Sequence, residues 1–218
     1  MKYLKELFTD NHIVNNDPYF KAVLKSLLIA YVLFNGFALS ELVTKSWKFA
    51  IISIIFILLG VWLTKFLKFN FLSITPLTLK NFGVILVGFL LLTSLDKLLE
   101  IFNPATSPND KLIIQEFAGT PFILLVFSIA IVPAIVEELI LRGFLLRVVF
   151  RGHLLIGLIV SSVVFALLHE GNTFIDYIPY FYFGIICGVA YLITKRIEVA
   201  IAIHFLNNFI TLFDYFSF

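Results

Sequence analysis

Cysteine is almost absent from this chain, and charge is scarce. A single cysteine, Cys187, stands among 218 residues, which excludes an internal disulfide framework and a cysteine-built zinc cluster. It lies in an apolar run and reads as a small packing residue. Charged residues make up only 14% of the chain against 61% hydrophobic residues, and the mean hydropathy is +1.03. Soluble domains carry about 25% charged and about 45–50% apolar residues, and no single core at this length hides such an excess. Lipid is the solvent that resolves the mismatch. A net charge of +2 on scattered basic residues argues against a nucleic-acid partner. The N-terminus also lacks the marks of a cleaved signal peptide. Met1 to Tyr19 holds Lys2, Lys5, Glu6, Asp10 and Asp17 and no uninterrupted apolar stretch before a small-residue cleavage site. Tyr3, Leu4, Leu7 and Phe8 fall at helical spacing there, which predicts a short interfacial helix.

Long apolar runs are what the chain has instead. A helix needs about 20 mostly apolar residues to cross the hydrocarbon, and that ruler gives seven segments: Val23 to Val43, Trp47 to Leu67, Asn81 to Phe102, Thr120 to Phe150, His153 to His169, Asp176 to Thr194 and Val199 to Phe216. The expected fold is all-α, a polytopic transmembrane bundle of about seven (six to eight) spans. The polar stretch Asn103 to Glu116, with Pro104, Pro108 and Asp110, predicts a loop. The fourth segment is too long for one perpendicular crossing. Residues 1–118 comprise the N-terminal segment, three spans and that loop; residues 119–218 hold the chemistry. Most lysines and arginines cluster at one set of helix ends, and only Lys45, Lys48, Lys97 and Lys111 fall at the other. That split predicts a multi-pass protein of the cell membrane with its N-terminus inside. A break in the fourth segment would invert the C-terminal half.

Ionisable residues within spans are costly, and here they gather late: Glu137, Glu138 and Arg142 in the fourth segment, His169 at the end of the fifth, and His204, Asn207 and Asn208 in the seventh. Glu138 and Arg142 are four apart, acid first, and face one another on a helix. Glu137 points about 100° away, with Ile140 and Leu141 as its neighbours three and four residues on, so its partner must come from another helix. That isolation suits a general base. An antiparallel pair turning at Arg151-Gly152 puts Glu137 about 21 Å and His169 about 25 Å from the turn, at similar depth. Phe165 lies one turn before His169 and can wall its imidazole. His204 and Asn208 share a face, and the asparagine amide can donate to a developing oxyanion. Pro133, four residues before Glu137, removes a helix bond and frees a carbonyl beside the proposed base. Gly184-Ile-Ile-Cys-Gly188 reads as a close-packing face.

Glu137-Glu138-Leu-Ile-Leu-Arg142 matches EExxxR, Phe165-Ala-Leu-Leu-His169 matches FxxxH, and His204-Phe-Leu-Asn-Asn208 matches HxxxN. In this order on late spans, over roughly Gly119 to Leu212, they resemble the CPBP family of CAAX proteases and bacteriocin-processing proteins, also called Abi. The resemblance implies an intramembrane endopeptidase acting on lipidated or other membrane-associated peptides. Glu137 and His169 would activate water, His204 and Asn208 would stabilise the oxyanion, and Glu138 and Arg142 would be framework. Zinc is the alternative cofactor, with Glu137, His169 and His204 as ligands. His169-Glu170 begins no HExxH, because position 173 is Thr173. A metal-free reaction is the expectation, since it employs Asn208 as well. Two other functions compete. A catalytically idle scaffold or bacteriocin-immunity protein would keep the same fold, whereas a proton-coupled transporter would show repeats in both halves.

Overall fold

A computed structural model of the chain describes residues 6–216, and their regular structure is helical throughout. The helices are α1 (Tyr19–Glu41), α2 (Lys48–Phe66), α3 (Leu79–Phe102), α4 (Pro108–Glu116), α5 (Phe122–Val149), α6 (Leu154–Leu167), α7 (Phe174–Thr194) and α8 (Ile197–Tyr215). Six of them are long and apolar enough to cross a membrane. The other two are the short, polar α4 and the apolar α6. α6 falls short by length. Its 14 residues reach about 21 Å, short of a hydrocarbon core of about 30 Å. The bundle therefore has six full-length spans and one short one, and His169 lies beyond the end of its helix. The polar stretch before α5 is not only a loop. Ser107 caps α4 by accepting from the Asp110 amide at 3.1 Å, and Pro108 occupies the first turn. The helix is too short and polar to stand out by periodicity.

α5 is the axis of the molecule. Buried residues make up 61% of its most apolar window, against 17–39% in the other five full-length spans, and it packs on α1, α6 and α8. It runs unbroken for 28 residues, so the break that the length of the fourth segment allowed is not present. Its winding changes, however: Val126–Ile131 and Leu139–Val149 take the wider π turn, and Val132–Glu138 between them is α-helical. Pro133, Glu137 and Glu138 all fall in that central piece. Such wide turns are uncommon and gather at functional sites.

Small residues let the other helices close in. A Cβ at Gly60 would stand 2.4 Å from Leu33, and the Ser53 hydroxyl donates to the Gly36 carbonyl at 2.6 Å, which locks α1 to α2. Between α6 and α7, a Cβ at Gly184 would meet Ser162 at 2.7 Å and one at Gly188 would meet Leu158 at 2.3 Å. The GxxxG motif is thus a contact face, as its spacing predicts. Phe34, Ile55, Leu58, Trp62 and Leu86 point outward, apolar side chains suited to lipid.

One end of the bundle is closed by the N-terminal strap. Arg151 donates to the carbonyls of Asn15 and Asp17, Asn15 donates to those of Leu67 and Lys68, and the Gly152 amide donates to Asp10. Arg147 pairs with Asp10 at 3.1 Å and donates to the His12 carbonyl. Lys25 and Lys21 hold the Asp17 carboxyl below its usual range. Residues 6 and 7 are helical, and Leu7 and Phe8 pack toward Leu146, Leu154, Leu158 and Leu192. Tyr3 and Leu4 of the expected interfacial helix lie outside the described residues. At the other end Asn109 of α4 accepts from the Glu170 amide at 3.4 Å, and Asp176 and Thr173 form a capping box that starts α7.

Candidate active site

The site is assembled on α5, where consecutive glutamates leave the helix in different directions. Glu138 points into the protein and is fully buried with Arg142, their charged groups 3.1 Å apart. Arg142 also donates to the Gly184 carbonyl at 3.1 Å and lies 4.9 Å over the Phe165 ring. The close approach that Gly184 permits is what brings that carbonyl within reach. The same Glu138 oxygen that meets Arg142 stands 3.0 Å from Nδ1 of His204. Glu138 therefore joins the arginine on its own helix to an imidazole on α8.

Glu137 is partly open, its side chain 19% exposed, and its Oε2 lies 4.0 Å from Nε2 of His204. One imidazole stands between two carboxylates, Glu138 on one nitrogen and Glu137 facing the other. The partner from another helix that Glu137 requires is thus His204. His169 joins differently, since the ion pairs of Glu137 among the described residues include His204 and not His169. The Phe165 carbonyl is 2.8 Å from Nδ1 of His169. A carbonyl only accepts, so Nδ1 carries the hydrogen and Nε2 of the neutral ring is left as an acceptor.

Aromatic rings connect the two histidines. Phe165 lies 4.8 Å from His169 and 5.9 Å from His204, centroid to centroid, with Phe183 stacked on it at 5.0 Å. Phe183 meets His204 edge-on at 4.8 Å, and Tyr180 stacks on His169 at 3.9 Å. Phe165 walls the imidazole as its spacing predicts. Asn208, one turn beyond His204, donates through Nδ2 to the carbonyl of Ile129 at 2.9 Å.

Residues 119–210 match the family model described as type II CAAX prenyl endopeptidase Rce1-like. The membrane-embedded CAAX protease MroQ of Staphylococcus aureus (strain USA300) is 31% identical over 150 residues, a match covering 65% of this chain and 58% of that protein. Over these residues the chain is similar to CAAX-type membrane proteases. It spans less than two thirds of the curated relative it matches. No solved structure matches it.

The EExxxR, FxxxH and HxxxN motifs meet at this cluster. EExxxR supplies Glu137, Glu138 and Arg142, FxxxH supplies Phe165 and His169, and HxxxN supplies His204 and Asn208. Among the described residues no group of three or more His, Cys, Asp or Glu side chains lies close enough together to hold a metal ion. Tyr180, Phe183 and the Gly184 carbonyl belong to the cluster and were not singled out from the sequence. Their one signal is position: they fall in the turn of α7 that leads into Gly184, the first glycine of the GxxxG motif.

Proposed function

We propose that the chain is an intramembrane endopeptidase that hydrolyses peptide bonds near the C-terminus of lipidated, CAAX-type or other membrane-associated peptides. The observation that carries this reading is His204 held between two glutamates, of which Glu137 forms no ion pair within its own helix among the described residues. In the proposed reaction Glu137 takes a proton from water, with Nε2 of His169 accepting a hydrogen bond that orients it. The hydroxide oxygen bonds to the scissile carbonyl carbon, and the carbonyl electrons move to oxygen. Asn208 has one amide hydrogen engaged by Ile129, and its second is free to meet that oxyanion. His204, donating to Glu138 through Nδ1, donates to the oxyanion through Nε2 when both nitrogens are protonated. Collapse breaks the C–N bond, and the proton held by Glu137 passes to the leaving amine.

The proposed reaction uses no metal. The proposed location is the cell membrane, with the strap end of the bundle inside. That end gathers Lys21, Lys25, Lys68, Arg147, Arg151 and Lys195, in keeping with the positive-inside preference.

The test is a cleavage assay in detergent on a peptide library that includes prenylated C-terminal peptides, read by mass spectrometry. Wild-type protein is expected to release short C-terminal fragments, and activity is expected to survive a chelator with less than about 0.1 equivalent of bound metal. Folded protein that cleaves nothing in the library would support the idle-scaffold reading. Activity that disappears with the chelator and returns with zinc would overturn the metal-free scheme.

A further inference from the structure

Pro133 cannot donate a backbone hydrogen bond. In an α-helix the N–H at position 133 would serve the carbonyl four residues earlier, that of Ile129. The change from π to α winding falls at Val132, so the ladder shifts register where the proline also removes a donor. Ile129 is 8% exposed and packs in the cluster that contains Leu125 and Leu212. A carbonyl left unpaired there, shielded by lipid and protein, would carry a substantial penalty. The Asn208 amide donates to this carbonyl at 2.9 Å.

We propose that Asn208 is a positioning residue, whose amide pins α8 to the proline-altered turn of α5 and so fixes His204 against Glu137 and Glu138. This rests on the hydrolase reading for its functional consequence, though not for its geometry. Two ties join the same pair of helices. His204 meets the glutamates, and one turn further along α8 Asn208 meets a carbonyl two turns before Glu137. Two points of attachment fix the crossing of two helices, whereas one leaves a pivot. The strut also gives a reason for the side chain to be an amide. A side-chain amide carries two hydrogens on one nitrogen and no charge, so it can bind Ile129 and still offer a donor to substrate. Pro133 and Asn208 then act as one device: the proline opens the carbonyl and the asparagine takes it.

The experiment is a double-mutant cycle on the full chain in detergent, comparing wild type, Asn208→Ala, Pro133→Ala and the double variant. Its readouts are Tm and the kcat and KM for a farnesylated C-terminal peptide. In the wild-type background Asn208→Ala is expected to lower Tm by roughly 2–8 °C and to lower kcat with little change in KM. In the Pro133→Ala background an N–H is restored to Ile129, and the same substitution is expected to cost less than half as much in Tm and less in kcat. Equal Tm shifts in both backgrounds would overturn the strut, as would loss of kcat in Asn208→Ala with no change in Tm. If Asn208→Ala yields no folded protein, recovery in the double variant supports the strut and failure in both overturns it. Wild-type protein that cleaves no peptide refutes the hydrolase reading, while a coupled Tm cycle in that protein still upholds the strut.

Discussion

His204 meets a carboxylate on each side of its ring, and the two carboxylates have different roles because their neighbours differ. Glu138 shares one oxygen between Arg142 and Nδ1 of His204 in full burial, so it sets the orientation of the imidazole. Glu137 is partly open, and its ion-pair partner among the described residues is His204, an arrangement that suits the proton exchange with water proposed for it. Two substitutions separate pairing from orientation. Arg142→Leu leaves a buried carboxylate uncompensated, and we expect it to cost about 3–5 kcal/mol of stability in a detergent unfolding assay. Glu138→Gln replaces the negative charge facing Nδ1 with a neutral amide, so specific activity per folded molecule should fall by roughly 10²–10⁴. A Glu138→Gln protein that is poorly folded yet fully active per molecule would show that the carboxylate is framework alone. The i,i+4 spacing makes the Glu138–Arg142 pair legible in the sequence. The contact of Glu138 with His204 spans 66 residues and depends on how α8 crosses α5, which no local pattern encodes.

Elements place these residues through small side chains and altered winding. Gly184 lies against Ser162 and presents its carbonyl to Arg142, so one glycine serves both the α6–α7 contact and the buried guanidinium. Gly184→Ala should therefore destabilise the protein by about 1–3 kcal/mol. Gly83→Ala is the control: nothing lies within 4 Å of a Cβ there, and the gain in helix propensity should make it neutral or mildly stabilising. Equal effects at the two positions, measured as Tm in detergent, would contradict the packing account. The GxxxG face could be read from spacing because a four-residue period has one meaning on a helix. The π turns of α5 could not, since Val126–Ile131 and Leu139–Val149 are apolar runs like any other. Pro133 gave the only hint, a freed carbonyl without a named partner. α4 was missed for the opposite reason, being too short and polar to carry an amphipathic signal.

At the scale of the whole molecule, hydropathy made the bundle legible and counted its spans, though it overstated the reach of α6. It could not assign the N-terminal segment, whose order comes from long-range stitches: arginines of α5 and the following turn donate into the strap backbone. Arg151→Ala removes the donors to Asn15 and Asp17. Amide exchange across residues 10–18 should then quicken by about tenfold or more while the interior of α5 keeps its protection. Unchanged exchange in the strap would mean that Arg151 is not a stitch. Acid should loosen the same end. The Asp17 carboxyl is held low by Lys25 and Lys21, so its contribution is present above the unfolded carboxylate pKa, near about 4, and fades as pH falls through the folded value.

The kcat of Glu137→Gln against wild type tests the central claim most directly, on one prenylated peptide and with Tm measured on the same preparations. A carboxylate base set beside His204 predicts a loss of about 10²-fold or more with Tm shifted by no more than about 2 °C. Turnover within about threefold of wild type in folded Glu137→Gln protein would contradict the account.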